Sequence, residues 1–361
     1  MQKTRFGVIG AGYGQAVLVP AIRRDPRAEV AAIAATSLEK ARRVGAHAGI
    51  PYAYGTWQEL LDSGQIDALA IAVPPAYQPA IVEAAAARRL PVFLEKPLSL
   101  TLSDALRISE VMKAANLVGV VDFNFTGIAA FRTASDAVRA GQIGQLDHVA
   151  VNWQVETYAN RTRARNWKTH SGEGGGTLSN FVSHSLHYLE WLTGQTVCAL
   201  SARLFGIPGD DRPSDATACL HLELESGASA SIAASTASPH GSGHEIACYG
   251  SDGSMILRNT TSDYMRGFDL IHGTRSGALP TSMLGPQPAP KDAEDGRIAP
   301  SAWIVAVLLD AIHGRYDRLG GVGVLSGVRV QRLIDAARES DRTRKWIDVA
   351  PSTSATEGVC H

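Results

Sequence analysis

Cysteine is scarce in this sequence: four residues in 361, at Cys198, Cys219, Cys248 and Cys360, with no CxxC pair. Neither a disulfide framework nor a thiolate zinc site is expected, and a reducing, cytoplasmic location is. A surplus of one charge is missing too. Lys and Arg number 34 against 35 Asp and Glu, a net charge of −1, so nothing favours attraction to a phosphate backbone and no nucleic-acid partner is expected. No apolar run reaches the about 18 residues that a membrane span requires, so no membrane partner is expected. The N-terminus runs from a short polar start into a strand and then glycines, without the apolar stretch and small-residue cleavage site of a signal peptide. Internal repeats and low-complexity blocks are lacking.

What is present is ordinary globular material. The chain is 45% apolar and 19% charged, enough for about two domains with cores of their own. The first third alternates. Apolar runs at 6–9, 30–35, 68–73, 92–94 and 118–123 are separated by Ala/Arg/Glu-rich stretches of helical length at 37–48, 79–89 and 103–115. Short apolar strands joined by helices predict a parallel sheet covered on both faces. Thr101 to Asp104 supply N-cap candidates for the last of these helices. The pattern then changes to period two: Val149, Val151, Trp153 and Val155 share one face, as do Ala218, Leu220, Leu222 and Leu224. Further strands are expected at 199–204, 228–234, 245–249 and 255–258, together making a mostly antiparallel sheet with one wet face. Residues 277–300 read as a long surface loop, and helices resume at 301–313 and 324–339. The expected architecture is α/β, with a dinucleotide-binding domain at 1–122, a second α/β domain at 123–350 and a frayed tail at 351–361.

Gly10-Ala11-Gly12-Tyr13-Gly14-Gln15 follows the first strand and opens a helix. The first glycine permits a tight turn, the second admits a pyrophosphate, and the helix N-terminus offers free N–H groups to it. The string alone also fits a tight turn in another α/β protein; its position at the head of a β/α repeat favours a dinucleotide. The usual third glycine would fall at Gln15. An acid at the end of the second strand would hold the ribose of NAD, but Ala35, Thr36 and Ser37 stand there, with Lys40, Arg42 and Arg43 just beyond. Hydroxyls and cations suit a 2′-phosphate, so NADP is expected, with NAD as the alternative. The same cations also fit the wet face of a surface helix.

Glu95-Lys96-Pro97 ends a strand at the edge where open α/β sheets bind ligands. A lysine there can lose solvation and donate a proton or a hydrogen bond, although the triplet alone equally fits a surface lysine. Later, Gly174-Gly175-Gly176 leads into a helix. At 100° per residue, Leu178, Phe181, Val182, Ser185, Leu189 and Leu192 share one side. Asn180, His184, His187 and Trp191 share the other, which is expected to meet solvent, a partner or a cleft. Histidine suits proton exchange near neutrality. His184 and His187 lack a third ligand of convincing spacing, so no metal is expected. Tyr158, Trp167 and Lys168 are candidates to line a cleft for a sugar or a nicotinamide ring, and Asn124 falls at the expected domain junction; Trp167 as a core anchor and Lys168 as a solvated charge fit as well.

Taken in order, Gly10–Gln15 with Pro20-Ala21, Val73-Pro74-Pro75, Glu95-Lys96-Pro97, Trp167-Lys168, Gly174–His184 and Trp191-Leu192 resemble the Gfo/Idh/MocA family of oxidoreductases along nearly the whole chain. The resemblance implies a Rossmann domain followed by an α/β domain built on a large open sheet. It implies a nicotinamide cofactor and a sugar-like substrate: a sugar, a cyclitol or a nucleotide-linked keto sugar. Gly10, Gly12, Tyr13, Gly14, Gln15, Thr36, Ser37, Lys40, Val73, Pro74, Glu95, Lys96, Trp167 and Lys168 would then serve the cofactor. Asn124, Tyr158, His184 and His187 would serve the substrate, and Lys96, His184 and Asn180 the chemistry. Lys96 from the front half and His184 from the back half would meet around the nicotinamide ring. The sequence departs from the family pattern at Asn180, where aspartate is common, at His187, where an acid is common, and at Gln78, where histidine is frequent. The first of these leaves open whether Lys96 or His184 carries the proton. A homo-oligomer, dimer or tetramer, is expected from the open sheet. A cofactor-retaining redox glycosidase and a non-catalytic NAD(P)-binding regulator are the alternatives within the fold.

Overall fold

The computed structural model describes residues 2–275, 277, 281–285, 294–315 and 319–350. The chain divides into two compact units: Met1–Gly127 with Arg297–Val328, and Ile128–Gly296 with Arg329–His361. Beside the expected 1–122 and 123–350, the chain changes units more than once, and the segment from Arg297 to Val328 groups with the dinucleotide-type unit.

Six strands among the described residues form the first unit's sheet: β1 (Thr4–Ile9), β2 (Ala28–Ala34), β3 (Tyr52–Tyr54), β4 (Ala68–Ile71), β5 (Val92–Leu94) and β6 (Gly119–Val121). They are parallel, in the order β3-β2-β1-β4-β5-β6, the doubly wound order of dinucleotide-binding folds. All residues of β4 and β5 are buried, as a sheet with helices on both faces requires. β3 was not expected, because three residues with exposed Tyr52 carry no apolar period. Caps fix the helix starts. Ser37 caps Leu38–Ala48, Thr101 caps Leu102–Ala114, and Thr56 with Glu59 closes a capping box on Trp57–Asp62. The helix Ile298–Ile312 begins earlier than expected, with Pro300 in its first turn, where a missing N–H costs nothing. Val121 N–H donates to Val322 O at 2.7 Å, and Arg27 bonds both Asp25 and Asp310 at 2.6 Å. The late segment is thus stitched into its unit.

The second unit carries β7 (Leu146–Gln154), β8 (Val197–Phe205), β9 (Thr217–Leu224), β10 (Ser229–Ser235), β11 (Gly243–Gly250), β12 (Gly253–Asn259), β13 (Asp269–Thr274), β14 (Thr281–Leu284) and β15 (Ile347–Asp348). Their order is β14-β13-β12-β11-β7-β10-β9-β8-β15, antiparallel except for the β7–β10 pair. Alternation runs as predicted: Val149, Val151 and Trp153 are buried, as are Ala218, Leu220, Leu222 and Leu224. Val155 lies beyond the end of β7. The buried side is filled by aromatic contacts: Phe131 of the helix Ala129–Arg139 meets Phe268 at 4.9 Å and Tyr188 at 5.5 Å, both edge-on. Of the expected loop at 277–300, residues 281–284 are strand β14, and 278–280 and 286–293 lie outside the described residues, as does the expected tail at 351–361. No helix among the described residues is long and apolar enough to cross a membrane.

Candidate active site

The glycine turn leaves the C-terminal end of β1. Gly10 has φ +119°, and a Cβ there would lie 2.2 Å from Ala72 O; only glycine fits. Gly14 begins a π-helical turn, Gly14–Leu18, that continues as the α-helix Val19–Arg23. A Cβ on Gly14 would sit 2.9 Å from Val8 Cγ1. The close helix–strand packing usually given to a third glycine is therefore made at Gly14, which is why Gln15 need not be glycine. Gly12 is the reverse case: it is exposed, and a Cβ there would meet nothing within 4 Å. This open approach, beside the unpaired N–H groups that every helix N-terminus has, fits the diphosphate of a dinucleotide.

The other expected cofactor residues of this unit follow the C-terminal ends of neighbouring strands. Thr36 is exposed past β2, and Ser37 Oγ accepts Lys40 N–H at 3.2 Å as the helix cap. Val73 and Pro74 follow β4, and Glu95 and Lys96 follow β5. The Lys96–Pro97 peptide is cis. Gln78, fully buried, donates from Nε2 to Glu95 O and to Pro97 O, both at 3.0 Å. One amide thus clasps the backbone on both sides of Lys96.

Tyr13 is turned inward. Its Oη donates to Asp122 Oδ2 at 2.8 Å and lies 3.3 Å from Ser301 Oγ, while the Arg297 guanidinium stands 5.1 Å from its ring centroid. Burial and the nearby Asp122 carboxyl push the Tyr13 phenol well above its usual range. Asn124, expected to face substrate, is buried; its Nδ2 donates to Tyr13 Oη at 3.4 Å.

In the second unit, the segments that carry the expected residues are tied by hydrogen bonds. Asn160, in the turn Tyr158–Arg161, donates to Thr236 O at 2.9 Å and Thr236 Oγ1 at 2.8 Å, and Thr236 Oγ1 meets Thr177 Oγ1 at 2.8 Å. Tyr158 itself is exposed. The turn Trp167–Thr169 is bound to the glycine triplet through Gly176 N–H on Lys168 O at 2.9 Å, and Lys168 Nζ lies 5.7 Å from its neighbour's indole centroid. Asp215 holds the start of the next helix: its Oδ2 accepts Leu178 N–H at 2.7 Å, and its carbonyl accepts Thr177 N–H at 3.0 Å.

The helix differs from the wheel drawn at 100° per residue. Leu178–Val182 is a π turn, and the α-helix runs only from Ser183 to Thr193. The wider turn breaks the simple one-turn relation between Asn180 and His184. Asn180 Nδ2 donates to Gly176 O at 2.9 Å, so its amide braces the turn that precedes it. Of the side expected to meet solvent, a partner or a cleft, His184 and His187 are buried, at 7% and 6% exposed, and Asn180 and Trp191 are half-buried. The His184 ring lies 6.4 Å from that of Trp153. Among the described residues no group of three or more His, Cys, Asp and Glu is arranged to hold a metal ion.

Sequence reasoning passed over Asp122, Ser301 and Asp215, and gave Gln78 no role. None carries a local signal. Tyr13 and Asp122 are 109 positions apart, and Asp122 and Ser301 are 179 apart.

Comparison with known proteins accounts for both units. Residues 4–123 match the family model described as an oxidoreductase family with an NAD-binding Rossmann fold, and residues 131–256 match the Gfo/Idh/MocA C-terminal domain. An uncharacterised oxidoreductase of Synechocystis, sll0816, is 29% identical over 360 residues, 95% of each chain. The scyllo-inositol 2-dehydrogenase (NAD(+)) of Bacillus subtilis is 25% identical over 262 residues, 71% of this chain and 74% of its own. A levoglucosan dehydrogenase solved with NADH and L-sorbose shares the fold at a TM-score of 0.85 and 21% identity, covering 97% of this chain and 100% of that one. With an NAD-binding Rossmann unit and the matching C-terminal domain in one chain, the protein belongs to the Gfo/Idh/MocA family and is an oxidoreductase.

Proposed function

We propose that this enzyme oxidises or reduces a carbinol or keto carbon of a sugar-like substrate, a sugar, a cyclitol or a nucleotide-linked keto sugar, and that it prefers NADP(H). The observation that carries the reading is the clasped loop: Gln78 fixes the carbonyls on either side of Lys96 at the ligand-binding edge of the sheet. The polyol named for the Bacillus subtilis relative supports the substrate class. When bound, the nicotinamide dinucleotide supplies the hydride acceptor or donor. The chain supplies the rest. The Gly10–Gln15 turn receives the diphosphate. Thr36, Ser37 and Lys40 favour a 2′-phosphate, since no carboxylate ends β2 to repel it. Lys96 binds the reacting oxygen, and His184 exchanges its proton. Asn180 steadies the turn that leads to His184. Placement and proton transfer of this kind contribute about 10²–10⁴-fold from acid–base chemistry alone.

A nicotinamide-absorbance screen against free sugars, cyclitols and nucleotide-linked keto sugars tests the activity. Turnover is expected with at least one class, and Lys96→Ala should abolish it in a folded protein; near-normal turnover in that variant would refute the role. Fluorescence titration tests the cofactor: NADPH should bind more tightly than NADH, and Ala35→Asp should reverse the order.

A further inference from the structure

The glycine turn is poor in side chains. Of Gly10-Ala11-Gly12-Tyr13-Gly14, only Ala11 and Tyr13 carry one. Glycine loses more conformational freedom than any other residue when it is fixed, so a turn built this way needs support from outside itself. Backbone bonds support its ends: Gly10 N–H donates to Ala34 O at 3.0 Å, and Gly12 O accepts Ala16 N–H at 3.0 Å. The middle is open, since Gly12 is exposed and a Cβ there would meet nothing within 4 Å. The side chain that reaches out from the middle is that of Tyr13.

Tyr13 is held along its ring and at its tip. The ring packs on the cluster of Val17, Ala21 and Ile298, with the Arg297 guanidinium 5.1 Å from its centroid. Its Oη donates to Asp122 Oδ2 at 2.8 Å, accepts from Asn124 Nδ2 at 3.4 Å and lies 3.3 Å from Ser301 Oγ. The carboxyl that receives it is itself fixed. Asp122 is 1% exposed, its N–H donates to Leu94 O at 2.8 Å, and each of its oxygens lies 3.1 Å from the donating Ser301 Oγ. These partners follow β6 or sit in the first turn of the helix Ile298–Ile312, and all belong to the first unit. One tyrosine thus ties the least supported part of the turn to a buried, doubly bonded carboxyl.

We propose that Tyr13 is a positioning residue for the dinucleotide: its hydroxyl, bound to Asp122, holds the glycine turn in the form that receives the diphosphate before any dinucleotide arrives. Binding then does not have to order the turn. The inference rests on the reading that this turn receives the diphosphate, and on neither the substrate nor the NADP preference proposed above. NADH and NADPH share the diphosphate, so both depend on the anchor equally.

The test is stopped-flow fluorescence of NADH and NADPH binding to the full chain, which separates association from dissociation without turnover. Tyr13→Phe keeps the ring and removes the hydroxyl. If the unanchored turn is receptive about a tenth of the time, both dinucleotides should associate about tenfold more slowly, with dissociation within about twofold of wild type. Loss of a direct contact would instead speed dissociation and leave association unchanged, and that result would overturn the proposal. Asp122→Ala breaks the same bond from its other end and should slow association by a similar factor, so either variant alone carries the test if the other does not fold. With both folded, the double variant should lose no more than either single; additive losses would overturn the proposal. Ser301→Ala takes a donor from the same carboxyl but leaves Tyr13 on it, and association should stay within about twofold. An equal loss there would mean general loosening around Asp122 and would also overturn it, as would a loss confined to one dinucleotide. A wild type that binds neither dinucleotide would sink the cofactor reading itself, whereas normal association in the variants would sink only the anchor.

Discussion

At the residue scale, the gap between what the sequence states and what the structure adds is clearest around Lys96. The lysine was legible from its place at the end of an apolar run. Its clasp was not, because the Gln78 side chain acts on two backbone carbonyls that any residue at 95 and 97 would supply. Replacing Gln78 with Leu removes the donor from both carbonyls, and each buried acceptor left without one costs about 1–3 kcal/mol. The loop should relax, and kcat should fall about 10–100-fold through misplacement of Lys96. Dinucleotide affinity should stay within about twofold, since the glycine turn is untouched. Loss of dinucleotide binding together with kcat would make Gln78 a general support of the unit instead. Gln78→Glu, which keeps the shape but cannot donate, should resemble the Leu variant.

At the element scale, strands with a regular period were legible, whereas β3, β13, β14 and β15 were not expected, and the helix before Gly194 was read poorly because its geometry is irregular. A wheel assumes one angle throughout, and the π turn at Leu178–Val182 breaks that assumption without leaving a mark in composition. The same kind of turn at Gly14–Leu18 carries the glycine turn into its helix. Asp215 stabilises the later one by accepting Leu178 N–H. Burial raises its carboxyl, and the backbone donors oppose the rise. Asp215→Ala should lower the unfolding free energy by about 1–3 kcal/mol, measured by denaturant titration. Asp215→Asn, which keeps an acceptor oxygen, should recover part of the loss. Equal losses in the two variants would mean that the carboxylate charge, not the hydrogen bond, secures the turn.

At the scale of the whole molecule, the two sheets were legible and the path of the chain between the units was not, because the return of Arg297–Val328 to the first unit depends on partners far away, such as Asp310 for Arg27. Stability of the whole also has a pH signature that no local pattern reveals. His244 lies within the second unit's core, stacked 3.9 Å from Trp153, edge-on to Phe268 at 5.4 Å, with Nε2 2.8 Å from Tyr188 Oη. Burial lowers its pKa from the ordinary 6.5 to about 3. In the unfolded chain the ring takes up a proton below 6.5, while the folded protein refuses it until about 3. The contribution is therefore complete above 6.5 and is lost as pH falls through that window, at up to about 1.4 kcal/mol per pH unit. Asp215 and Asp122, whose carboxyls are raised, act in the opposite sense, and the lowered Asp25 and Asp310 act only where carboxylates titrate. A difference between wild type and His244→Phe cancels these shared terms. The variant should be less stable at neutral pH, and the gap should narrow steadily on acidification until it closes or reverses, followed by urea unfolding at a series of pH values. Parallel stability curves would mean that the folded protein protonates the ring as readily as the unfolded chain does, so that burial does not hold His244 neutral.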